Sequence, residues 1–293
     1  MLELITEPFA FQFMRNALYA GLLTVVAASL VGTWVVMRGM AFMGDALAHG
    51  VLPGIAVAFL LGGNLLLGGA ISAAFMIAGV SLASARSRLG EDTAIGLLFV
   101  GMLAAGVAII SARGAYAGDL TTILFGDPIG VTATDLRNVA VACVITVLAT
   151  ALLYRPFLVL SFSRAKAQVL GLRPGLAHLA MLALIAVVVI SSFRTVGTLL
   201  VFAFLVAPPA TAALVSRRVP VMMGVAMLIG AGGVLAGLLI SYHYATATAA
   251  TIAGLTVLAF FLVLTVREGM AGLARWRVRR GESDAGWSEA PSG

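Results

Sequence analysis

The sequence predicts an all-α fold, a bundle of about nine membrane-spanning helices, on three observations. Of 293 residues, 61% are apolar and only 10% charged, with a mean hydropathy of +1.10; soluble domains hold about 45–50% apolar and about 25% charged residues. The apolar residues form long runs between short polar joints, without the period-two alternation of a membrane barrel. The basic residues concentrate in a few of those joints. At about 20 residues per span the chain has room for roughly ten spans and little else, which excludes a soluble enzyme and a disordered chain. The single cysteine, Cys143, lies in an apolar run, so neither a disulfide framework nor a cysteine metal site is expected.

Hydropathy, broken by charges and by Gly and Pro, places the spans in order. The first covers 16–37; Glu3 and Glu7 precede its first basic residue, Arg15, unlike the basic start of a cleaved leader, so this span is expected to be retained. The second covers 43–61 and holds Asp45, His49 and Pro53. The third (63–85) and fourth (93–111) are separated by Arg86 and Arg88, and Gly96, Gly101 and Gly106 punctuate the fourth, a pattern suited to close helix packing. An outer segment, 112–133, leads to the fifth, 134–154. A long polar joint from Tyr154 to Gly175 follows, then spans at 176–192 and 195–215. The latter is interrupted by Pro208 and Pro209 and is expected to cross, with a possible break there. The last two cover 219–241 and 248–266. Residues 1–270 thus read as one transmembrane domain, and 271–293 as a tail with a short amphipathic piece and then disorder.

Nine crossings put the termini on opposite sides. With the N-terminus outside, the inner joints and tail hold Arg38, Arg86, Arg88, Arg155, Arg164, Lys166, Arg173, Arg217, Arg218, Arg267, Arg275, Arg277, Arg279 and Arg280, against Arg15, Arg113, Arg137 and Arg194 outside. Fourteen of the 18 basic residues are then inside, the bias that sets membrane orientation. The formal charge of +6 therefore reads as topological, and no nucleic-acid partner is expected.

An ionisable residue within a span marks a functional site by default. Asp45 and His49 are four apart, on one helix face, and a carboxylate with an imidazole suits zinc or manganese. Pro53 cannot bond the carbonyl of His49, and Gly50 and Gly54 admit a close neighbour, so a kink with free backbone oxygens is expected. A structural Asp–His hydrogen bond, or a helix-start Asp near the interface, fits the same residues equally well.

The other candidates are weaker. His243, between Tyr242 and Tyr244, suits an aromatic belt better than a metal. His178 suits a cap at an inner helix end, and Asp119 and Asp127 suit a solvated outer loop. Within the inner joint, Ser163 to Leu172 is compatible with a short helix stopped at Gly171; the joint lies on the membrane surface or docks a soluble partner. The only lysine, Lys166, is flanked by Ala165 and Ala167, so the chain has no phosphate-binding Gly-Lys-Ser/Thr loop. No nucleophile–base spacing stands out either, and the chain is not expected to be an enzyme.

Three blocks carry a family resemblance. The first runs from Arg38 through Asp45 and His49 to Pro53, Gly54 and Ala56. The second is Leu124-Phe125-Gly126-Asp127, followed by Val131-Thr132 and Thr134-Asp135-Leu136. The third runs from Val196-Gly197-Thr198 to Ala207-Pro208-Pro209-Ala210-Thr211-Ala212. Over nearly its whole length the chain resembles the permease subunit of the zinc/manganese/iron ABC importers, the ABC-3 family. The resemblance implies a homodimer in the bacterial inner membrane and two ATP-binding cassette subunits on the cytoplasmic face, which hydrolyse the ATP. It also implies an extracytoplasmic metal-binding protein that delivers the ion. Asp45 and His49 match the family's intramembrane ligands. The coupling segment would fall at about 160–174, with Arg164, Ala167 and Gly171 toward the ATPase; the acidic residue common before that alanine is absent. Where relatives carry an outer Asp after span eight, this chain has Tyr244 to Thr248, and His243 is the weak substitute.

No cofactor is expected on the chain; Zn2+ or Mn2+ is the cargo, and affinity ordering tips the expectation toward zinc. Two rivals differ in class. A permease for a metal chelate such as haem, siderophore or cobalamin would not need Asp45 and His49 on its path. An ATP-independent secondary transporter would show inverted repeats and more buried charge.

Overall fold

A computed structural model describes residues 7–86, 91–111, 126 and 130–285. After a single 3-10 turn at Pro8–Ala10, the helices are α1 (Gln12–Met37), α2 (Ala41–Gly50), α3 (Leu52–Leu60), α4 (Leu65–Arg86), α5 (Glu91–Ser111) and α6 (Ala133–Leu152). They continue as α7 (Tyr154–Phe162), α8 (Arg164–Val169), α9 (Pro174–Val215), α10 (Val219–Tyr244) and α11 (Thr248–Ala285). No strand occurs among the described residues. Among the described residues, eight segments are long and apolar enough to cross a membrane, with α2 and α3 together forming one of them.

The bundle is organised around α1, whose apolar window is 72% buried, against 22% for α5 and α11. Trp34 on α1 is fully buried under the rings of Tyr154 and Phe157, centroids 5.5 and 5.7 Å away. Small residues let neighbours approach: a methyl at Gly21 would press on Val234 of α10, and one at Gly230 on Val25. Without a hydrophobic drive between helices in lipid, such close packing carries much of the association.

Contacts along α1 give the direction of each neighbour. The 42 residues of α9 would span about 63 Å if straight, twice a bilayer core of about 30 Å. They are two arms. In the first, His178 meets Arg38 at 2.8 Å and Ser192 meets Thr24 at 3.2 Å, so this arm is antiparallel to α1. In the second, Leu205 and Pro209 lie against Gly32, and Ala212 joins a cluster with Val36 and Met37, so this arm is parallel to α1. The reversal lies at Gly197, with φ 79° and ψ 160°, a conformation essentially reserved for glycine. The chain therefore traverses the bundle nine times among the described residues, and α9 supplies both the 176–192 and the 195–215 spans. The 195–215 segment crosses without a break at its prolines: Pro208 and Pro209 both sit inside the continuous second arm.

The α10 helix returns antiparallel to α1, Met222 packing near Val36 and Met37 and the Tyr242 ring lying 6.3 Å from that of Phe11. α11 then runs back along α10, with Ile252 against Gly237 and Thr256 against Gly233. Its backbone stays helical to Ala285. The described residues Arg38, Arg86, Arg155, Arg173, Arg217, Arg218 and Arg267 lie toward the end where α1 finishes, and Arg15, Arg137 and Arg194 toward the end where it begins. Arg88 and Arg113 lie outside the described residues.

Candidate functional site

The second span is two helices. α2 ends at Gly50 and α3 starts at Leu52 with Pro53 in its first turn, as the proline predicts. The junction packs against α4 and α5: a methyl at Gly50 would strike Met76, and Gly106 of α5 lies over Leu52 and Pro53. Met76 is near the midpoint of α4, so His49 is at about mid-depth in the bundle. Asp45 is one turn nearer the basic end, its neighbour Gly44 facing Leu205 and Phe202 of the second α9 arm.

Asp45 Oδ1 and His49 Nε2 are 3.6 Å apart, and the side chains keep 29% and 21% of their surface open. That is longer than a good hydrogen bond. It is close to the separation of about 3.0–3.5 Å between two donors each about 2.1 Å from one cation. The ring of Phe99 packs edge-on to His49 at 5.7 Å and also against Phe42 at 5.7 Å, so one wall of the pair is aromatic. His49 Nδ1 is buried without a hydrogen-bond partner. The arrangement offers an oxygen and a nitrogen donor on one open face, backed by a helix break whose His49 carbonyl has no N–H four residues on.

The structure does not bring the weaker candidate to this pair. His243 sits at the far end of α10, its ring 5.3 Å from that of Tyr242, beside the start of α1. No group of three His, Cys, Asp or Glu side chains comes together among the described residues. His178 accepts from Arg38 at 2.8 Å, an end-of-helix role. Asp119 and Asp127 lie outside the described residues.

At the end where α1 begins, a cavity of about 460 Å3 opens between the α3–α4 turn, the start of α6 and the tip of the first α9 arm, with Asn64, Thr132, Asp135, Asn138, Ser191 and Arg194 on its wall. Asp135 closes a capping box with Thr132 and lies 3.7 Å from Arg194. Gly126, from the second sequence block, lies directly on the backbone of Val196 and Gly197, at the apex of α9. Sequence reasoning passed over this vestibule because it is assembled from distant segments, each reading as an ordinary cap or loop.

At the opposite end, the joint contains a helix the sequence reading left out. α7 precedes α8, which is capped by Ser163, whose hydroxyl accepts from the Lys166 N–H at 3.3 Å. Gly171 stops the turn with φ 69°. Ala167 is buried, whereas Phe162, Val169 and Leu170 are 75%, 88% and 65% exposed. The joint's outward surface therefore adds exposed apolar side chains to the exposed Arg155, Lys166, Gln168 and Arg173, and a search for polar residues alone does not find them.

Residues 10–267 match the ABC 3 transport family. The manganese transport system membrane protein MntC of Halalkalibacterium halodurans is 33% identical over 272 residues, 92% of this chain and 93% of that protein. The chelated iron transport system membrane protein YfeD of Yersinia pestis is 35% identical over 264 residues, 90% and 89% of the two chains. Among solved structures, PsaBC from Streptococcus pneumoniae in complex with Fab superposes with a TM-score of 0.81 at 29% identity, over 89% of this chain and 94% of that one.

Proposed function

Because the chain belongs to the ABC 3 transport family, we propose that it is the transmembrane subunit of an ATP-driven importer of a first-row divalent metal ion, with Asp45 and His49 as a transient site on the ion's path. The single observation that carries the reading is this pair at mid-depth, with donors 3.6 Å apart and both side chains partly open. A carboxylate at that depth is costly against lipid. Its open face therefore calls for a water-lined path, and a second copy of the chain supplies the other wall, bringing two Asp45 and two His49 to one axis.

Two donors per chain hold an ion firmly enough to offset part of its dehydration, yet weakly enough to release it, as conduction requires. Energy comes from separate ATPase subunits. The exposed Phe162, Val169 and Leu170, beside Ala167 and Gly171, supply an apolar face for them, with Arg164 on the same short helix. The extracytoplasmic binding protein would meet the opposite end, where Gly126 covers the α9 apex. Positive-inside placement then sets the N-terminus outside and the C-terminus in the cytoplasm of a bacterial inner membrane.

Manganese or iron(II) is the cargo we favour. One oxygen and one nitrogen donor, with no thiolate, suit these harder ions as well as zinc. The similarity to a manganese and a chelated iron transport system membrane protein tips the balance away from the zinc that affinity ordering alone suggests.

The test is uptake of radioactive manganese into proteoliposomes holding this chain, its ATPase and its binding protein. Asp45→Ala and His49→Ala should each lower ATP-dependent uptake by about 100-fold or more, with assembly and ATPase association unchanged. Normal uptake by either folded variant removes the pair from the path. Zinc competing far better than manganese would restore zinc as cargo.

A further inference from the structure

Three residues of α4, each one turn apart, face the junction of α2 and α3. Gly68 meets Gly54 backbone to backbone, so closely that a methyl on either would collide with the other's carbonyl. Met76 fills the space beside Gly50. Between them is Ser72, 5% exposed, whose hydroxyl donates to the Gly50 carbonyl at 2.8 Å and accepts from the Gly54 N–H at 3.3 Å.

Those two backbone groups are the ones an uninterrupted helix would pair with each other, since N–H(i) bonds O=C(i−4). Pro53 removes only the bond to His49; it does not by itself prevent Gly54 from closing onto Gly50. The Ser72 oxygen occupies that gap and satisfies both sides, the insertion of a side chain into a helix ladder that produces a sharp kink. A backbone donor and acceptor left open at this depth would be costly, so the opened state needs such a group. Only the side-chain-free contact of Gly54 with Gly68 brings α4 near enough for a side chain as short as serine to reach.

We propose that Ser72 is the positioning residue of the Asp45–His49 site: its hydroxyl wedges open the Gly50–Gly54 pair, fixes the break one residue after His49, and so sets the direction in which the His49 ring and the freed His49 carbonyl face the path. This rests on the reading of Asp45 and His49 as the path site. Ser72 touches neither side chain; it acts through the backbone that carries His49. Without the hydroxyl, Gly54 re-bonds to Gly50, α2 and α3 approach one continuous helix, and the donors turn from their present face.

The test uses the full chain in complex with its ATPase, in two measurements. Nitroxide labels on Phe42→Cys and Leu61→Cys, in a Cys143→Ser background and diluted with unlabelled chains, report the intrachain distance across the break without metal. Ser72→Ala should lengthen it toward about 28 Å, the span of 19 residues of continuous helix at 1.5 Å each. Ser72→Thr should keep the wild-type distance, and the isosteric Ser72→Val should follow Ala. In manganese uptake, loss of a group that orients a ligand costs about 10–100-fold in metal affinity. Ser72→Ala and Ser72→Val should therefore raise the KM for manganese at least about tenfold with a much smaller change in maximal rate, and Ser72→Thr should restore it. A serine that merely packs would lower yield or rate and leave KM alone. A wild-type distance or an unchanged KM in folded Ser72→Ala and Ser72→Val overturns the proposal. Normal uptake by Asp45→Ala, together with a lengthened Ser72→Ala distance, would defeat the metal-site reading while leaving the wedge in place.

Discussion

Two spans of this molecule are discontinuous, and they break by different means. In α2–α3 the chain keeps its direction; a proline removes one bond, a serine from another helix opens the next, and an ionisable pair flanks the gap. In α9 the chain reverses at Gly197, whose φ of 79° and ψ of 160° no other residue adopts comfortably, and Gly126 covers the apex. The prolines teach the contrast. Pro53 lies at a break because Ser72 inserts there. Pro208 and Pro209 lie in an intact helix, where the Leu205 carbonyl, which Pro209 cannot bond, lies against the bare backbone of Gly32. A proline weakens the ladder, and what stands opposite decides whether the helix opens.

If that contrast is right, the reversal in α9 should depend on glycine more than any other feature. Gly197→Ala puts a Cβ into the disfavoured region, at about 1–3 kcal/mol for the backbone alone. The expected outcome is the loss of most folded, detergent-stable chain, read by fluorescence-detected size exclusion. A fully folded Gly197→Ala chain would mean that the turn tolerates an ordinary residue.

Gly32→Ala tests the other half. Its methyl would collide with the Leu205 carbonyl and press on Pro209, overpacking that costs about 1–3 kcal/mol without a forbidden backbone angle. We expect a destabilised but assembled chain, measured by reversible denaturation in mixed micelles. Wild-type stability would show that the second arm does not need this close approach.

Much of this was legible in the sequence. Long apolar runs place the helices to within a few residues, because lipid forces every backbone group into a helix. Asp45 and His49 stand out because charge among apolar residues is costly, and Pro53 marks the junction. The joint helix follows from Ser163 and Gly171. The rest depends on partners distant in sequence. Ser72 lies in a small-residue run that reads as packing. Pro53 and Pro209 read alike in sequence, and what faces each, Ser72 in one case and Gly32 in the other, is far away along the chain. α7 was missed because Arg155 and Pro156 near its start read as joint, although proline is tolerated in a first turn.

The smallest effect is expected at the vestibule, where the tip of the first α9 arm meets α6 through Arg194 and Asp135. Their closest atoms are 3.7 Å apart, and Arg194 is 55% exposed, so this pair resembles a surface ion pair, worth about 0–1 kcal/mol. Asp135 has a second role. Its carboxylate accepts from the Thr132 N–H at 3.2 Å and from the Thr132 hydroxyl at 2.6 Å, and the Thr132 hydroxyl in turn accepts from the Asp135 N–H. Losing a cap of this kind costs about 1 kcal/mol. Arg194→Ala should therefore change stability by less than Asp135→Ala, and the double variant should match Asp135→Ala within about 0.5 kcal/mol, measured by the same denaturation. A larger loss from Arg194→Ala than from Asp135→Ala would mean that the ion pair, and not glycine geometry, holds the α9 apex in place, and the contrast between the two broken spans would have to be redrawn around charge.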